Sequence, residues 1–549
     1  MQSENSHHSV FKLFQDYQKM GNEMNNLYQQ YFTDLTKKTT GQAWWLNPTL
    51  KDNEIQDKRF KDPKWKEQPL FYFYHQAYLQ IVKQTLELLE QNKSSDPKIA
   101  KQMAFFTKQY LDAMSPSNFV LTNPQVLEQT MNTQGENIRQ GLQNWLNDMA
   151  NPNGHWQIQM TDMKAFALGE NIAVSKGKVI FQNRMMQLIQ YEPTTDKVFA
   201  RPLLIIPPWI NKYYILDLTE KKSLVKWLVD QGNTVFMISW VNPDESYRDC
   251  GFENYLTEGV LASCDAITKI TKQASVNALG FCIGGTLLAV TTAYLKALNK
   301  SLIHSATFLT SLIDFSEPGD IGAFIDKNIV DSLEQKMAID GYLDGRAMMS
   351  AFNLLRSNDL QWSYYINNYL CGNKPFPFDL LFWNCDPSNL PAKMHSFYLR
   401  QFYLENRLCI PNGLSILEKQ LDLGKVNIPC YFLSTVQDHI APWKSTFMGA
   451  KCFGGPVTFV LGGSGHIAGI VNPPCHAKYG YQSSDVNIKQ CVDTNEWLKR
   501  AKSHEGSWWP HWGEWLKAQA GEKVNKRVPG MDGLKIIQDA PGDYVRKRI

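Results

Sequence analysis

The chain has 549 residues, of which 43% are hydrophobic and 20% charged, a composition typical of globular proteins. This length favours two or three domains. The formal net charge of +3 is too small for a strong electrostatic field, so we expect neither nucleic acid nor an acidic surface as a partner.

The N-terminal sequence MQSENSHHSVFKLF lacks the basic segment and apolar core of a secretory signal. No apolar run reaches about 18 residues, so no transmembrane helix is expected. The ten cysteines all lie from Cys250 onward and include no CxxC pair. We therefore expect mostly small buried cysteine side chains, with no disulfide framework and no metal site.

Residues 1–158 are predicted to form a helical domain. Amphipathic helical patterns cover residues 10–32, 71–91 and 95–114. In the third pattern, Asp96 followed by Pro97 is a typical helix start. The aromatic runs AWWLNP and FYFY fit either the core between small helices or a surface that meets an apolar partner.

Residues 159–549 alternate short apolar strands with helices. The strands are predicted at RPLLIIPP, NTVFMISW, SVNALG, HSATFLTSLIDF, IPCYFLST and PVTFVLGG. This alternation predicts an α/β fold, in which a mostly parallel sheet carries helices on both faces.

Residues 316–427 separate the fourth of these strands from the fifth. The segment is mostly helical and aromatic, and it is far too long for a simple connection. We expect an inserted cap that covers the C-terminal edge of the sheet.

Reactive side chains follow three of the predicted strands. Cys282 lies in GFCIGG after the third strand, Asp438 in VQDHIAPW after the fifth and His466 in SGHIAG after the sixth. Open α/β sheets bind ligands at the carboxyl ends of their strands. The order nucleophile, acid, histidine is that of α/β-hydrolases, so we expect these three residues to form a catalytic triad.

The residues around Cys282 fit a sharp turn between strand and helix. Gly280 and Gly284 are small where strand and helix crowd together, and the Ile283 amide would point at an oxyanion. A second oxyanion donor is expected from PPWINKYY, at the backbone of Ile210 or Asn211.

Each triad residue taken singly also has a structural explanation. Cys282 could fill a glycine-rich turn, Asp438 could cap a helix, and His466 could be a hydrogen-bonded loop residue. Their joint occurrence at strand ends, in the right order, favours catalysis. His439 adjoins Asp438 and is interpreted as a structural neighbour or as part of the substrate path.

The choice of cysteine over serine points to thioester chemistry. A thiolate attacks well and is a good leaving group. Its attack on a thioester gives another thioester, so the acyl group stays activated for transfer to a hydroxyl. A serine ester would lose that driving force.

Several motifs resemble those of the class I poly(3-hydroxyalkanoate) synthases, the polyhydroxybutyrate polymerase family, along nearly the whole chain. The matching motifs are DAMSPSNFVLTNP, PPWINKYYILDL, FMISWVNPD, LGFCIGGT, NDLQWSYYINNYL, FDLLFWN, QDHIAPW, SGHIAGIVNPP, SWWPHWGEWL and APGDYVRKR. The resemblance implies an α/β-hydrolase fold with an inserted helical cap, preceded by a helical N-terminal domain.

The resemblance also implies a function. The expected reaction polymerises short-chain (R)-3-hydroxyacyl-CoA, mainly 3-hydroxybutyryl-CoA, into a polyester with release of CoA and without a cofactor. The expected partners are the growing polyester granule, phasins and a second copy of the chain in a homodimer. The expected location is the cytoplasm, at the granule surface.

By position, the resemblance makes Cys282 the acyl-bearing nucleophile and His466 its base. Asp438 either orients His466 or helps to activate the 3-hydroxyl of the acyl unit. Arg356 matches an arginine of the substrate or product path, although a helix-cap ion pair would also explain it.

Two positions depart from the usual family pattern. Trp209 stands where cysteine is more usual, and Ser396 where cysteine is often found. Both bear on the shape of the pocket and therefore on the monomers it accepts.

Two motifs could contact the granule. SWWPHWGEWL fits either packing of a terminal helix or granule contact, and the helix at residues 10–32 fits either core packing or contact with the granule or a phasin.

Two other functions share parts of this pattern. A thioesterase or lactone hydrolase of the cysteine type would use the same triad. A granule-coat protein on an inactive hydrolase fold would not need an intact triad.

Overall fold

The computed structural model describes most of the chain, and its atoms fall into two compact units. The described residues are 57–91, 94, 96–150, 157–476, 478–531 and 535–549. The first unit comprises residues 1–158 and 357–374, and the second comprises residues 159–356 and 375–549. The helix predicted at residues 10–32 lies outside the described residues.

The first unit is helical in its described part. Its α-helices are α1 (Lys64–Glu67), α2 (Pro69–Gln91), α3 (Pro97–Ala113), α4 (Pro124–Asn132) and α5 (Glu136–Met149). The predicted start of α3 is confirmed, because the Asp96 carboxylate accepts from the amides of Lys98 and Ile99. An aromatic cluster that includes Phe60 and Trp65 forms a core beneath α2.

Residues 357–374 belong to this first unit, although the sequence placed them in the cap. Asn137 of α5 donates to the Leu370 carbonyl at 2.8 Å. A Cβ at Gly141 would lie 1.8 Å from the Tyr369 carbonyl oxygen, so only glycine allows α5 to approach this closely.

The second unit is built on an 11-stranded mixed sheet. The strands of this unit are β1 (Gly177–Gln182), β2 (Met186–Tyr191), β3 (Lys197–Phe199), β4 (Leu203–Ile206), β5 (Val235–Trp240), β6 (Val276–Phe281), β7 (Ile303–Leu309), β8 (Tyr342–Leu343), β9 (Leu390–Pro391), β10 (Leu414–Ile416), β11 (Lys419–Leu421), β12 (Cys430–Thr435), β13 (Val457–Gly462), β14 (Tyr481–Ser483), β15 (Lys502–His504), β16 (Lys523–Asn525) and β17 (Gln538–Asp539). The order across the sheet is β15-β14-β13-β12-β7-β6-β4-β5-β2-β1-β17.

The six predicted strands form the parallel centre of this sheet, which confirms the predicted fold class. Strands β5, β4, β6, β7, β12 and β13 pair in parallel. Leu203 and Ile205 pack into one hydrophobic cluster, whereas Leu204 and Ile206 pack into the other. Because successive side chains point to opposite faces, both faces of the sheet are buried.

The antiparallel edges of the sheet were not predicted. β2 pairs with both β1 and β5 in antiparallel register. Gln187 and Gln190 are fully buried within β2, so the strand shows neither an apolar run nor a clean alternation.

Helices cover the sheet and form much of the long segment between β7 and β12. The helices of the second unit are α6 (Leu224–Asp230), α7 (Phe252–Asn254), α8 (Ala262–Thr271), α9 (Ile283–Ala297), α10 (Lys327–Asp340), α11 (Gly345–Leu355), α13 (Asp379–Asn384), α14 (Ala392–Tyr398), α15 (Trp443–Lys451), α16 (Thr494–Arg500) and α17 (Trp509–Gln519), and α12 (Ser363–Tyr365) lies in the first unit. Among the described residues, no helix is both long enough and apolar enough to span a membrane.

Candidate active site

Cys282 lies at the sharp turn between β6 and α9. Its backbone has φ 54° and ψ −126°, a conformation that non-glycine residues rarely adopt. The Cys282 amide donates to the Leu309 carbonyl of β7 at 2.9 Å. The turn therefore presents the half-buried thiol at the C-terminal edge of the sheet, next to the first turn of α9.

Two glycines make this turn sterically possible. A Cβ at Gly280 would lie 2.4 Å from the Gly285 Cα. A Cβ at Gly284 would lie 2.2 Å from the Ile206 carbonyl oxygen and 2.8 Å from that of Pro207. Strand and helix thus approach each other to a distance that excludes any side chain at either position.

Asp438 follows β12 and is held by backbone amides. Its Oδ1 accepts from the Ile440 amide at 2.9 Å and from the Ala441 amide at 2.8 Å. Its Oδ2 lies 2.7 Å from Nδ1 of His466. The carboxylate is buried and has a fixed orientation toward the histidine.

His466 follows β13 and connects the carboxylate to the thiol. Its ring stacks on Phe281 with centroids 5.6 Å apart. Burial acts to lower the pKa of His466, but the Asp438 carboxylate and the Cys282 sulfur outweigh it and raise the pKa from 6.5 to about 10. Since Nδ1 faces Asp438, Nε2 is the nitrogen left to serve the Cys282 thiol, which is near enough to act on the pKa of the ring. The imidazole can therefore take and hold the thiol proton.

The two predicted oxyanion donors are backbone amides with no acceptor among the described residues. Ile283 is the first residue of α9, where helix amides are unsatisfied and the helix dipole favours negative charge. Ile210 follows β4, and its carbonyl accepts from the Ser388 amide at 2.8 Å while its own amide stays unused. Such amides are suited to stabilising a tetrahedral oxyanion.

Comparison with known proteins gives the chain its family. A family model described as "Poly-beta-hydroxybutyrate polymerase (PhaC) N-terminus" matches residues 56–228. The "Poly(3-hydroxyalkanoate) polymerase" of Methylorubrum extorquens is 45% identical, over 98% of this chain and 87% of the relative. The "Poly(3-hydroxyalkanoate) polymerase subunit PhaC" of Cupriavidus necator is 37% identical, over 96% of this chain and 89% of the relative.

The chain belongs to the poly(3-hydroxyalkanoate) polymerase family. The family predicted from the sequence motifs is therefore confirmed. A second relative named as a polymerase subunit PhaC, from Rhizobium meliloti, is 46% identical over 90% of this chain and 80% of its own length.

The architecture of this polymerase-family chain is that of an α/β-hydrolase, with the three residues of the predicted triad after β6, β12 and β13. Among solved structures, it is similar to a putative hydrolase from Agrobacterium vitis S4, with a TM-score of 0.34 and 12% identity over 63% of this chain and 98% of that one. It is also similar to Est1E from Butyrivibrio proteoclasticus, with a TM-score of 0.32 and 14% identity over 53% of this chain and 91% of that one.

Arg356 and His439, predicted for the substrate path, lie close to each other and to the triad. Burial lowers the pKa of His439 to about 4, and both Asp438 and His466 act on it electrostatically. Arg356, which follows the end of α11, is near enough to lower the pKa of His439 further. His439 is therefore neutral at pH 7, with Nδ1 buried and without a hydrogen-bond partner.

Two tyrosines of the inserted segment were missed by the sequence analysis. Tyr398 ends α14, Tyr403 lies five residues on, and their rings are 5.3 Å apart. Burial raises the pKa of both hydroxyls, and the Cys282 sulfur contributes to both increases. The available signal was the aromatic stretch SFYLRQFYL, which resembles an ordinary helix core.

Two tryptophans near the C-terminus support the histidine loop of this polymerase-family chain. The indole of Trp508 donates to the Gly469 carbonyl and that of Trp509 to the Ile470 carbonyl, each at 2.9 Å. Both rings are about 1% exposed, so this cluster packs a terminal helix and is unavailable as a contact surface.

The two departures from the family pattern lie outside the triad. Trp209 is buried and packs on Tyr255 with centroids 4.4 Å apart. Ser396 hydrogen-bonds Glu334 within the inserted segment. In the described part of the chain, no group of three or more histidine, cysteine, aspartate or glutamate side chains is arranged to hold a metal ion.

Proposed function

We propose that this chain polymerises short-chain (R)-3-hydroxyacyl-CoA, chiefly 3-hydroxybutyryl-CoA, into a polyester and releases CoA. Cys282 carries the acyl group as a thioester. Membership of the polymerase family supports the reaction type. The observation that carries the assignment of the site is the chain of contacts from Cys282 through His466 to Asp438 at the C-terminal edge of the sheet.

The first half-reaction loads the enzyme. His466 takes the thiol proton, and the Cys282 sulfur attacks the carbonyl carbon of the acyl-CoA. The amides of Ile283 and Ile210 stabilise the oxyanion. As the oxyanion collapses, the carbon–sulfur bond to CoA breaks, and CoA leaves with the proton that His466 held.

The second half-reaction extends the polymer. The 3-hydroxyl of one acyl unit gives its proton to His466 and attacks a thioester carbonyl. An oxygen ester forms, and the sulfur of the attacked thioester leaves and takes the proton from His466. Each cycle therefore exchanges one thioester for one ester, and the stronger activation of the thioester drives the reaction forward.

For Asp438, the geometry favours the role of orienting His466. Its Oδ2 is 2.7 Å from Nδ1 of His466, and its Oδ1 is occupied by two amides. Two backbone amides fix the carboxylate so that Oδ2 faces Nδ1 of His466, which is the arrangement that orients the ring and stabilises the imidazolium.

The inserted segment keeps water from the acyl-enzyme. Tyr398 and Tyr403 lie near Cys282; Tyr398 is buried and Tyr403 is partly buried. Hydrolysis would end the polymer, so a closed site favours elongation. Substrate access then requires movement of this segment, along a path that Arg356 and His439 line.

The polymer also suggests where the enzyme works. As the product becomes insoluble, the enzyme stays at the surface of the granule that it makes, as a homodimer and in contact with phasins. The segment of residues 10–32 is our candidate for the granule contact.

The product of the reaction separates this proposal from a thioesterase. With (R)-3-hydroxybutyryl-CoA, we expect free CoA together with a turbid suspension of polymer. Release of CoA into a clear solution that contains free 3-hydroxybutyrate would contradict the proposal. The Cys282→Ala variant should release no CoA. That loss would show that the wild-type chain itself releases CoA through Cys282, as a non-catalytic coat protein would not.

A further inference from the structure

Two cysteines outside the active site are in direct contact. Sγ of Cys409 and Sγ of Cys452 lie 3.2 Å apart. Both residues are partly exposed. All ten cysteines lie in the described part of the chain, and among them this is the pair whose sulfur atoms are in contact.

The pair lies where the inserted segment joins the catalytic domain. Cys409 ends the short turn Arg407–Cys409, and its thiol donates to the Ile313 carbonyl at 3.2 Å. The neighbouring Asn406 accepts from the Phe315 amide at 2.8 Å. Residues 406–409 of the inserted segment are thus held against the residues that lead from β7 into it.

Cys452 belongs to the catalytic domain. It follows α15, the helix that begins shortly after Asp438. A Cβ at Gly449 of this helix would lie 2.7 Å from the Ile313 Cβ, so α15 packs directly on the residues that lead from β7 into the inserted segment. A bond between the two sulfurs would therefore join the inserted segment to the helix that follows the catalytic acid.

The chemistry of the two thiols suits oxidation. The hydrogen bond between them raises the pKa of Cys409 and lowers that of Cys452. A thiolate is the species that attacks a disulfide. A disulfide bond is about 2.05 Å long, so the sulfurs need to approach by only about 1.2 Å.

We propose that Cys409 and Cys452 are an oxidative modification site, which a low-molecular-weight disulfide converts to an intramolecular disulfide. The Cys452 thiolate attacks one sulfur of the small disulfide, whose bond breaks and releases one thiolate. The Cys409 thiolate then attacks the Cys452 sulfur and displaces the second. The protein loses two electrons and two protons, and the small disulfide becomes two thiols.

The modification has a consequence that rests on the proposed function. Phe315 packs on Tyr403 with centroids 4.9 Å apart and on Tyr398 with centroids 6.0 Å apart, and both tyrosines lie near Cys282. If the inserted segment must move to admit substrate, a covalent link at its base slows turnover.

The test uses the full chain with oxidised glutathione, followed by digestion with trypsin without reduction. We expect the peptides of residues 408–419 and 452–478 to be joined by a disulfide. Cys475 shares the second peptide, so Cys475→Ser serves as the matched control and should still give the joined peptides. Cys409→Ser, Cys452→Ser and Cys452→Ala should not.

Turnover of the oxidised enzyme is measured in the same samples. We expect at least a threefold loss that dithiothreitol reverses, and no comparable reversible loss in Cys452→Ser. Glutathione attached separately to either thiol, with no joined peptides, would overturn the proposed site. Joined peptides with unchanged turnover would overturn the link to movement of the inserted segment. A failure of the reduced enzyme to make polymer would instead contradict the proposed function. The peptide map would still show whether the disulfide between Cys409 and Cys452 forms.

Discussion

Cys282 combines a strained backbone with a position close enough to His466 for its sulfur to raise the pKa of the imidazole. The strain is stabilised by the surrounding sheet and helix, and in the proposed reaction the Ile283 amide, next in the chain, stabilises the oxyanion that forms as this sulfur attacks. At the scale of the residue, sulfur is the atom that keeps a bound acyl group activated.

Cys282→Ser should therefore lose most polymerase activity. An alcohol is a poorer nucleophile and a much poorer leaving group than a thiol, so we expect at least about a 100-fold fall in kcat for CoA release. The rate of CoA release with (R)-3-hydroxybutyryl-CoA measures it. Polymerisation at a near-normal rate by the serine variant would refute the leaving-group argument.

His466 should contribute to a fall in stability at high pH. Its pKa rises from 6.5 to about 10 on folding, so its contribution to stability is fully present below about pH 6.5 and is lost as the pH rises from there through 10. Between these values its contribution to the free energy of unfolding should fall by up to about 1.4 kcal/mol per pH unit.

Denaturant unfolding of the wild type and of His466→Gln at pH 7 and pH 9 measures this contribution. The wild type should lose more stability than the variant between the two values. Equal losses would show that His466 does not hold an elevated pKa in the folded protein.

The grouping of Cys282, Asp438 and His466 at one edge of the sheet could be predicted from the sequence because its signal is local. Each of Cys282, Asp438 and His466 directly follows an apolar strand, and parallel strands end at one edge of a sheet. Tyr403 and Trp509 act from distant parts of the chain, and their own neighbourhoods resemble ordinary helix core. No local pattern reports such contacts.

At the scale of the element, the β6–α9 turn depends on the glycines at its centre. Gly284→Ala would place a methyl group 2.2 Å from the Ile206 carbonyl oxygen. Because both neighbours are backbone, we expect a loss of at least about 2 kcal/mol in the free energy of unfolding, with a large loss of activity.

Gly462→Ala, at the end of β13, is the matched control. Its new Cβ would meet Thr435 at 3.5 Å, an ordinary contact, so the unfolding free energy should change by less than about 1 kcal/mol. Denaturant unfolding of both variants gives the comparison. Equal free energies of unfolding for the two variants would contradict the claim that the turn sterically excludes a side chain at Gly284.

The indole of Trp509 should matter for the histidine loop. Trp509→Phe keeps an aromatic ring in place but removes the donor to the buried Ile470 carbonyl. We expect a loss of about 1–3 kcal/mol in stability and a lower kcat, because the loop that carries His466 loosens.

Trp515→Phe, on the same helix, provides the comparison. Trp515 packs against the ring of Tyr431, with centroids 5.3 Å apart, and phenylalanine can preserve such a contact. Thermal unfolding and kcat should change little in this variant. A kcat for Trp509→Phe that matches the wild type would remove Trp509 from the support of the site.

The predictability of the elements depended on burial. The six central strands are apolar throughout because both faces are covered, and they were found. β2 was missed because Gln187 and Gln190 are buried within it, and their environment is known only when β1 and β5 are in place.

At the scale of the whole molecule, the 11-stranded sheet brings together residues that are far apart in the chain. The long segment between β7 and β12 is divided, since residues 357–374 belong to the first unit and the rest to the second. The sequence could predict the length of this segment. It could not predict the division, because that depends on contacts such as those of α5 with Leu370.

The central claim is that the polymer grows as a thioester on Cys282. The most direct measurement is an acid quench during turnover of (R)-3-hydroxybutyryl-CoA, followed by mass analysis of tryptic peptides. Peptide 273–296 contains Cys282 as its single cysteine. We predict a ladder of 3-hydroxybutyryl adducts on this peptide that hydroxylamine removes. Release of CoA with this peptide unmodified, or with the acyl group on another residue, would contradict the account.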